Sequence, residues 1–138
     1  MNILNLKFLI NTNGNNDVLD ITENAKEKIL SKNILNGLIH IYTPLSRAGI
    51  KIMEYDPGIV KDLNNFLEKI IPKQNKYFHD IEWKDNFANG YIKSALIGNG
   101  VCIPFIEGDF ELDRFQRILF VDFDGTKGAR SVIIQIIY

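Results

Sequence analysis

The run SVIIQIIY, residues 131–138, is the strongest constraint in the chain. It is rich in β-branched residues and is interrupted among its apolar positions only by Gln135. A strand of this kind has almost no face to give to water. It therefore predicts cover on both sides, by helices or by a neighbouring subunit. Upstream, GVCIPFI, a short DFEL and RILFVDF read as further strands, and Asp124-Gly125 marks the turn before the last one. The final forty residues thus hold three or four strands.

The first seventy residues alternate strands with helices. Ile3, Leu4, Leu6, Phe8 and Ile10 give a strand over 3–11, followed by the turn cluster NTNGNND, in which Asn13-Gly14 is a hairpin signal. DVLDI is a short second strand. Thr22 reads as a helix N-cap with Glu23 in the first turn, and the helix presents Ala25, Ile29 and Leu30 on its apolar face as far as about Asn33. LIHIY (38–42) and GIKIME (49–54) are strands. Ile59, Val60, Leu63, Phe66, Leu67, Ile70 and Ile71 follow helical spacing until Pro72 ends it. Residues 72–86 read as a polar, aromatic, irregular loop, long enough to be functional or to cover something. A further helix spans about Ala88 to Ile97, with Gly98 as its stop.

Helices fall between strand pairs and not after every strand. This argues against a doubly wound parallel sheet and for an α+β domain around a mixed, strongly curved sheet with two to three helices. With 138 residues the chain reads as one domain, 1–138. A chain of that size buries roughly two thirds of its unfolded surface without needing staples. The net charge of −1, from 16 basic and 17 acidic residues, gives no broad field for nucleic acid or an anionic membrane. The N-terminus lacks the pattern of a signal peptide, and no apolar run approaches the ~20 residues of a membrane helix. The single cysteine, Cys102, has no internal partner for a disulfide, which fits a reducing compartment. The expected location is the cytoplasm.

Four groups of residues could carry chemistry. In YTPLSRAGIKIMEYDPG (42–58), Ser46 and Arg47 stand beside the small pair Ala48-Gly49. Small residues permit close backbone approach, and Arg47 offers a planar fork for phosphate or carboxylate. Glu54 could serve as a general base or metal ligand, while Asp56 reads as the electrostatic partner of a helix start. His79, Asp80, Glu82 and Asp85 supply one imidazole and three carboxylates, from which two or three could hold a divalent metal. Arg114–Arg117 and the basic, glycine-containing turn DGTKGAR (124–130) could hold a phosphate, although the GxxxxGK[ST] order is absent. His40 lies inside a strand and reads as structural.

Taken in order, these landmarks resemble the YjbQ-like family, sometimes described as secondary thiamine-phosphate synthases, most of whose members are uncharacterised. The resemblance covers about residues 15–137. A family Pro-His-Thr-Thr-Ala-Gly loop is matched by Pro44-Leu45-Ser46-Arg47-Ala48-Gly49, and an acidic strand end with a Pro-Gly helix start by Glu54-Tyr55-Asp56-Pro57-Gly58. A Tyr-x-His segment is matched by Tyr77-Phe78-His79. An Asn-Ala-His-x-His helix start and Leu-Lys-Ala-x-Leu-x-Gly are matched by Phe87-Ala88-Asn89-Gly90-Tyr91 and Ile92-Lys93-Ser94-Ala95-Leu96-Ile97-Gly98. Gly-Thr-Trp-Gln is matched by Asp113-Arg114-Phe115-Gln116, and the closing Asp-Gly-Pro-Arg-x-Arg by residues 124–130.

The resemblance implies an α+β fold with a barrel-like sheet, a homotrimer, and pockets near subunit boundaries. It also exposes losses: the loop histidine is Leu45, and the helix-start histidines are Asn89 and Tyr91. A catalytic zinc wants three protein ligands, usually dominated by histidine. His79 is the only matched histidine left. No cofactor is therefore expected, beyond a weakly bound divalent metal on His79 and Glu54. Two functions follow. One is a diverged, metal-free family protein that keeps a pocket for a small phosphorylated or anionic ligand, with Ser46, Arg47, Asp85, Asn89, Gln116 and Arg130 as ligand-binding residues. The other is an active enzyme related to thiamine-phosphate synthase, with Glu54 and His79 as a rearranged acid–base pair and a site that could depend on metal.

Overall fold

The computed structural model describes residues 1–138. The elements follow as β1 (Ile3–Thr12), β2 (Asp17–Asp20), α1 (Thr22–Leu30), β3 (Gly37–Tyr42), β4 (Ala48–Glu54), α2 (Pro57–Ile70), α3 (Phe78–Trp83), α4 (Ala88–Ile97), β5 (Gly100–Ile106), β6 (Asp109–Phe110), β7 (Gln116–Asp122) and β8 (Gly128–Ile137). Five strands form one sheet in the order β1-β8-β3-β5-β6, and three form a second in the order β2-β7-β4. Together they curl into a half-barrel, and the α+β fold with a strongly curved sheet stands. The pairings are antiparallel throughout, not of mixed direction. There are four helices, one more than the largest number expected.

The core forms where the inner faces of the two sheets meet. Ile39, Ile41, Ile103, Phe105, Val132, Ile134 and Ile136 come from the larger sheet, and Ile50, Ile118 and Phe120 from the smaller. Ala25 and Ile29 of α1 close one side of it. Burying each such isoleucine contributes roughly 1.5–3 kcal/mol, which is why period-two apolar spacing fixes the register. A smaller cluster packs on the other face of β7, where Val18, Leu119, Val121 and Phe123 meet Leu67 of α2.

Beta-strand burial on both faces therefore falls to β7 and not to β8. Residues Ile118 to Asp122 are all buried. In β8 the inner residues Val132, Ile134 and Ile136 are buried, but Gln135 and Ile137 are exposed. Nothing in the chain covers that outer face. Its neighbours in register are Ile3 of β1 and Leu38 of β3, both exposed.

Three local expectations are corrected. Asn13-Gly14 does not close a hairpin, because β1 pairs with β8 and β2 pairs with β7. The turn instead carries the chain between sheets with Gly14, Asn15 and Asn16 all left-handed, and a Cβ on Gly14 would meet the Thr126 carbonyl at 2.5 Å. Thr22 is not the N-cap. Ile21 is, and the Thr22 hydroxyl donates to Asp20 while accepting the Ile118 N–H. Finally, 72–86 is not wholly irregular: it contains α3.

Other boundaries follow the expected chemistry. Asp56 caps α2 by accepting the Ile59 N–H at 2.9 Å, with Pro57 at the first helical position. Gly98, at φ 92°, ends α4. No helix is long and apolar enough to cross a membrane.

Candidate anion-binding cleft

The loop after β3 is held by backbone bonds, and these set where Arg47 points. Thr43 is fully buried; its N–H donates to the Asn99 carbonyl and its hydroxyl to the Ser131 carbonyl, each at 2.9 Å. The Asn99 amide donates in turn to the Leu45 carbonyl at 3.0 Å. Leu45 packs against the large core, so the loop tip has an apolar anchor where a reactive group was sought. Ser46 is exposed and makes no side-chain hydrogen bond. The Arg47 carbonyl accepts the Phe123 N–H at 2.8 Å, which ties the loop to the end of β7.

The Arg47 guanidinium donates to Asp124 at 3.0 Å and lies over the Phe87 ring, 3.9 Å from its centroid. It crosses the first turn of α4 at Gly90, where a Cβ would sit 3.2 Å from the Arg47 side chain and 3.3 Å from the Phe123 carbonyl. Behind it is a second ion pair. Asp122 is completely buried; it accepts from Arg130 Nε at 2.8 Å, from the Thr12 hydroxyl and from the Asp124 N–H. Arg130 also donates to the Thr126 carbonyl at 2.5 Å. Arg130 thus braces the turn, and with Ser46 and Arg47 it also lines a cleft of about 210 Å³ beside Asp122 and Asp124. Burial pushes the Asp124 carboxyl up, but hydrogen bonds from Thr126 and the charges of Arg47 and Arg130 outweigh it and hold the group below the usual carboxylate range.

A cleft of about 180 Å³ opens between this loop, the start of α4 and the end of α2. Its cations are Arg47, Lys73 and Lys93, and its amides are Asn15, Asn16, Asn86 and Asn89. No carboxylate lines it. Asn89 and Lys93 stand one helical turn apart on α4, which puts both on one ridge. Lys93 is 1% exposed, and its ammonium pairs with Glu68 at 2.9 Å. Glu68 is held below its ordinary range by the Lys73 N–H, with Lys93 adding to this against a smaller effect of burial. The Asn89 amide donates to the Asn86 carbonyl at 3.0 Å, while its Oδ1 has no partner in the protein.

A second cluster lies beside the cleft. His79 Nε2 is 3.3 Å from Asp85, and the imidazole packs edge-on against Tyr91 and stacks on Trp83. Asp85 accepts the Phe87 N–H and Asp80 the Ala88 N–H, so these two carboxylates cap α4. Desolvation alone would raise Asp85, but the Phe87 N–H, the neighbouring Asp80 and His79 together outweigh it and lower it. One ligand atom each from His79, Asp80 and Asp85 lie within 4.8 Å of one another, so these three could hold a metal ion.

Glu54 belongs to neither group. It is exposed, pairs in register with Gln116 and lies at the opposite end of β4 from Ala48. Six residues of strand separate it from the Arg47 loop, about 20 Å. No hydrogen bond joins it to His79. Gln116 closes its own turn, accepting the Asp113 N–H at 2.9 Å. Of the residues singled out in the sequence, the structure thus brings Arg47 and Asn89 into one cleft, sets Ser46 and Arg130 with Arg47 along a neighbouring one, places His79 and Asp85 in a separate cluster, and leaves Glu54 and Gln116 elsewhere. The sequence reading missed Lys93, Lys73 and the asparagines at 15, 16 and 86. Lys93 had a signal: it is the only charged residue of α4.

Comparison with known proteins agrees with this architecture. The family model described as UPF0047 protein YjbQ-like matches residues 6–138. A UPF0047 protein of Archaeoglobus fulgidus is 33% identical over 117 residues, covering 85% of this chain and 89% of that protein. One from Methanocaldococcus jannaschii is 33% identical over 132 residues, 95% of this chain and 92% of its own. Among solved structures, a YbjQ-like protein of unknown function from Sulfolobus solfataricus superposes with a TM-score of 0.90 at 21% identity, covering 98% and 96% of the two chains, which speaks to the fold alone. A conserved uncharacterised protein from Clostridium acetobutylicum gives 0.86 at 29% identity over 96% and 99%. On sequence and fold together, the chain belongs to the YjbQ-like UPF0047 family.

Proposed function

We propose that this chain is a diverged family member that binds a small anion, of the phosphate or phosphorylated class, in the cleft beside Arg47, without the histidine chemistry that the family resemblance implied. One observation carries the reading: three cations and no carboxylate line the cleft. Two of these cations are pre-positioned by Asp124 and Glu68, which lowers the cost of ordering them when an anion arrives. At the positions of the lost histidines, Leu45 is core packing and the Asn89 amide nitrogen is committed to the Asn86 carbonyl, so neither restores imidazole chemistry.

Calorimetric titration with phosphate, pyrophosphate and thiamine phosphate tests the proposal. Binding by the wild type that falls at least about tenfold in Lys73→Ala and in Arg47→Ala is the expected result, since a charge-assisted hydrogen bond contributes roughly 1.5–3 kcal/mol. Equal binding by wild type and Arg47→Ala removes Arg47 from the site.

The convergence of His79, Asp80 and Asp85 favours a second reading, an enzyme related to thiamine-phosphate synthase with a rearranged metal site. Its ligands would be these three and not Glu54. Two carboxylates and one imidazole suit a harder divalent ion than zinc. Elemental analysis giving a stoichiometric metal that His79→Ala loses, with synthase activity above background, would establish it.

We propose further that the protein assembles as a homotrimer, through the outer face of the five-stranded sheet. The exposed Ile3, Leu38 and Ile137 support this as a surface that association would cover. Light scattering at a monomer mass of 15.8 kDa would refute it. The compartment we propose is the cytoplasm, on the strength of the free Cys102 thiol.

A further inference from the structure

We infer that the apolar outer face of the five-stranded sheet is covered by helix α3 of a second copy of this chain, so that subunits associate head to tail. The inference rests on the homotrimer reading above and names the second surface that such a trimer needs.

Symmetry creates the need. A surface that meets itself gives a two-fold dimer and stops there. A ring of three takes two different, complementary surfaces, one presented to each neighbour. The outer sheet face, with Ile3, Leu38 and Ile137, is one of them.

Helix α3 is the other. None of its six residues is buried, and Phe78, Ile81 and Trp83 are all exposed, Phe78 to 90%. Helical spacing puts Phe78, Ile81 and Glu82 on one side. The rest of the helix is tied to the protein: His79 meets Asp85 and Tyr91, and Asp80 accepts the Ala88 N–H. A buried aromatic side chain covers about 150–250 Å², so Phe78, Ile81 and Trp83 offer on the order of 400 Å² between them. That is about half of the ~800 Å² that one partner gives to a standard interface.

Position makes the contact intermolecular. Leu67 of α2 and Ile97 of α4 pack on the outer face of the smaller sheet. The Tyr77 hydroxyl donates to the Pro72 carbonyl at 2.6 Å, and Asp80 bonds to the start of α4, so α3 is held on that same side. The outer face of the larger sheet lies on the opposite side. One chain cannot fold its α3 onto its own sheet, and two copies cannot engage both patches with each other. The closed arrangement that remains is a ring, and three is its smallest size.

Charge selects the occupant. β1, β3, β5 and β8 contain no Asp or Glu, and their only Lys or Arg residues are Lys7 and Arg130. Arg130 is held by Asp122, whereas Lys7 is exposed and makes no ion pair. Glu82, also exposed, is the carboxylate of α3 without a partner. Matching Lys7 to Glu82 fixes the register in which the two apolar patches meet. Lipid suits α3 less well. Residues 72–87 balance Lys73, Lys76 and Lys84 against Asp80, Glu82 and Asp85, and so lack the basic excess of a helix that lies on an anionic membrane.

Sedimentation of the full chain tests this. The wild type should run at three times the 15.8 kDa monomer mass. Phe78→Asp and Leu38→Glu each change an exposed side chain, and each variant should be monomeric with unchanged far-UV circular dichroism. Mixed in equal amounts, the two should form a dimer, because the intact sheet face of one accepts the intact α3 of the other. Lys7→Glu should weaken association about tenfold, and adding Glu82→Lys should restore it. A Phe78→Asp variant that stays trimeric overturns the inference and leaves the trimer standing. A mixture that stays monomeric overturns it, as does failure of Glu82→Lys to rescue Lys7→Glu. A monomeric wild type removes both readings, and if it also sediments with phosphatidylcholine–phosphatidylserine vesicles, lipid is the occupant of α3.

Discussion

The two ends of the β4–β7 ladder differ in almost every physical respect. At one end Ala48 faces Asp122, and around that pair converge Arg47, Asp124, Arg130, Thr12 and the first turns of α4. At the other end Glu54 faces Gln116, both exposed, and the Gln116 side chain is bonded only within its own turn. In the sequence the two ends look like one motif, because only six residues separate Arg47 from Glu54. A strand is the worst element for that inference, since extension carries neighbours apart as fast as a chain allows. The residues that touch Arg47, namely Phe87, Gly90, Phe123 and Asp124, lie forty or more positions away, at the start of α4 and just past the end of β7.

The contrast can be broken by mutation, and Asp122→Ala should produce the largest effect. It removes a fully buried carboxylate and strands Arg130, whose side chain is 12% exposed. A loss on the order of 3–5 kcal/mol in urea denaturation is expected. A loss as small as that of a surface change would mean that the network is not the keystone of this end.

Lys93→Met separates stability from binding. Glu68 is 46% exposed on its side chain and regains water when its partner goes, so folding should change by less than about 1.5 kcal/mol. Phosphate affinity should nevertheless fall about tenfold or more. Loss of both together would reassign Lys93 to the scaffold.

Acid should act on the same end. Because the Asp124 pKa is depressed in the folded protein, its stabilising contribution is complete above its unfolded value, near 3.8, and disappears as pH falls through the lower folded value. Asp124→Asn should cost on the order of 1 kcal/mol at neutral pH and make stability less dependent on pH below about 4. Unchanged acid sensitivity in the variant would place the titrating group elsewhere.

The smallest effect belongs to the far end. Glu54→Gln should leave stability within about 0.5 kcal/mol and phosphate binding unaltered. Any measurable drop in binding would rejoin the two ends into one site.

What the sequence made legible follows the range of each interaction. Asp56 as a cap, Gly98 as a helix stop and the strand periods were readable because their physics spans a few residues. The Asn13-Gly14 turn misled because turn propensity does not say which strands will pair. Residues 72–86 gave no clear helical signal, since the six residues of α3 are too few to show a period. The ion pair of Arg130 was not legible, because its partner Asp122 sits in β7 and nothing local reveals that a carboxylate there is wholly buried. The cleft asparagines at 15, 16 and 86 were illegible for the opposite reason: amides are common in turns, and only the fold shows that they face the same space as Asn89.

The pairing of Ile3 with Ile137 also has a kinetic side. The strand that joins β1 to β3 is the last one in the chain. On a ribosome, the two would wait as unjoined edges until β8 emerged, and in refolding the closure of that long loop would come before any reward for it. The larger sheet should therefore assemble late and as a unit, leaving β1 with its alternating isoleucines and leucines exposed to other chains during the wait. The order in which this fold is synthesised makes its first strand the one most in need of protection.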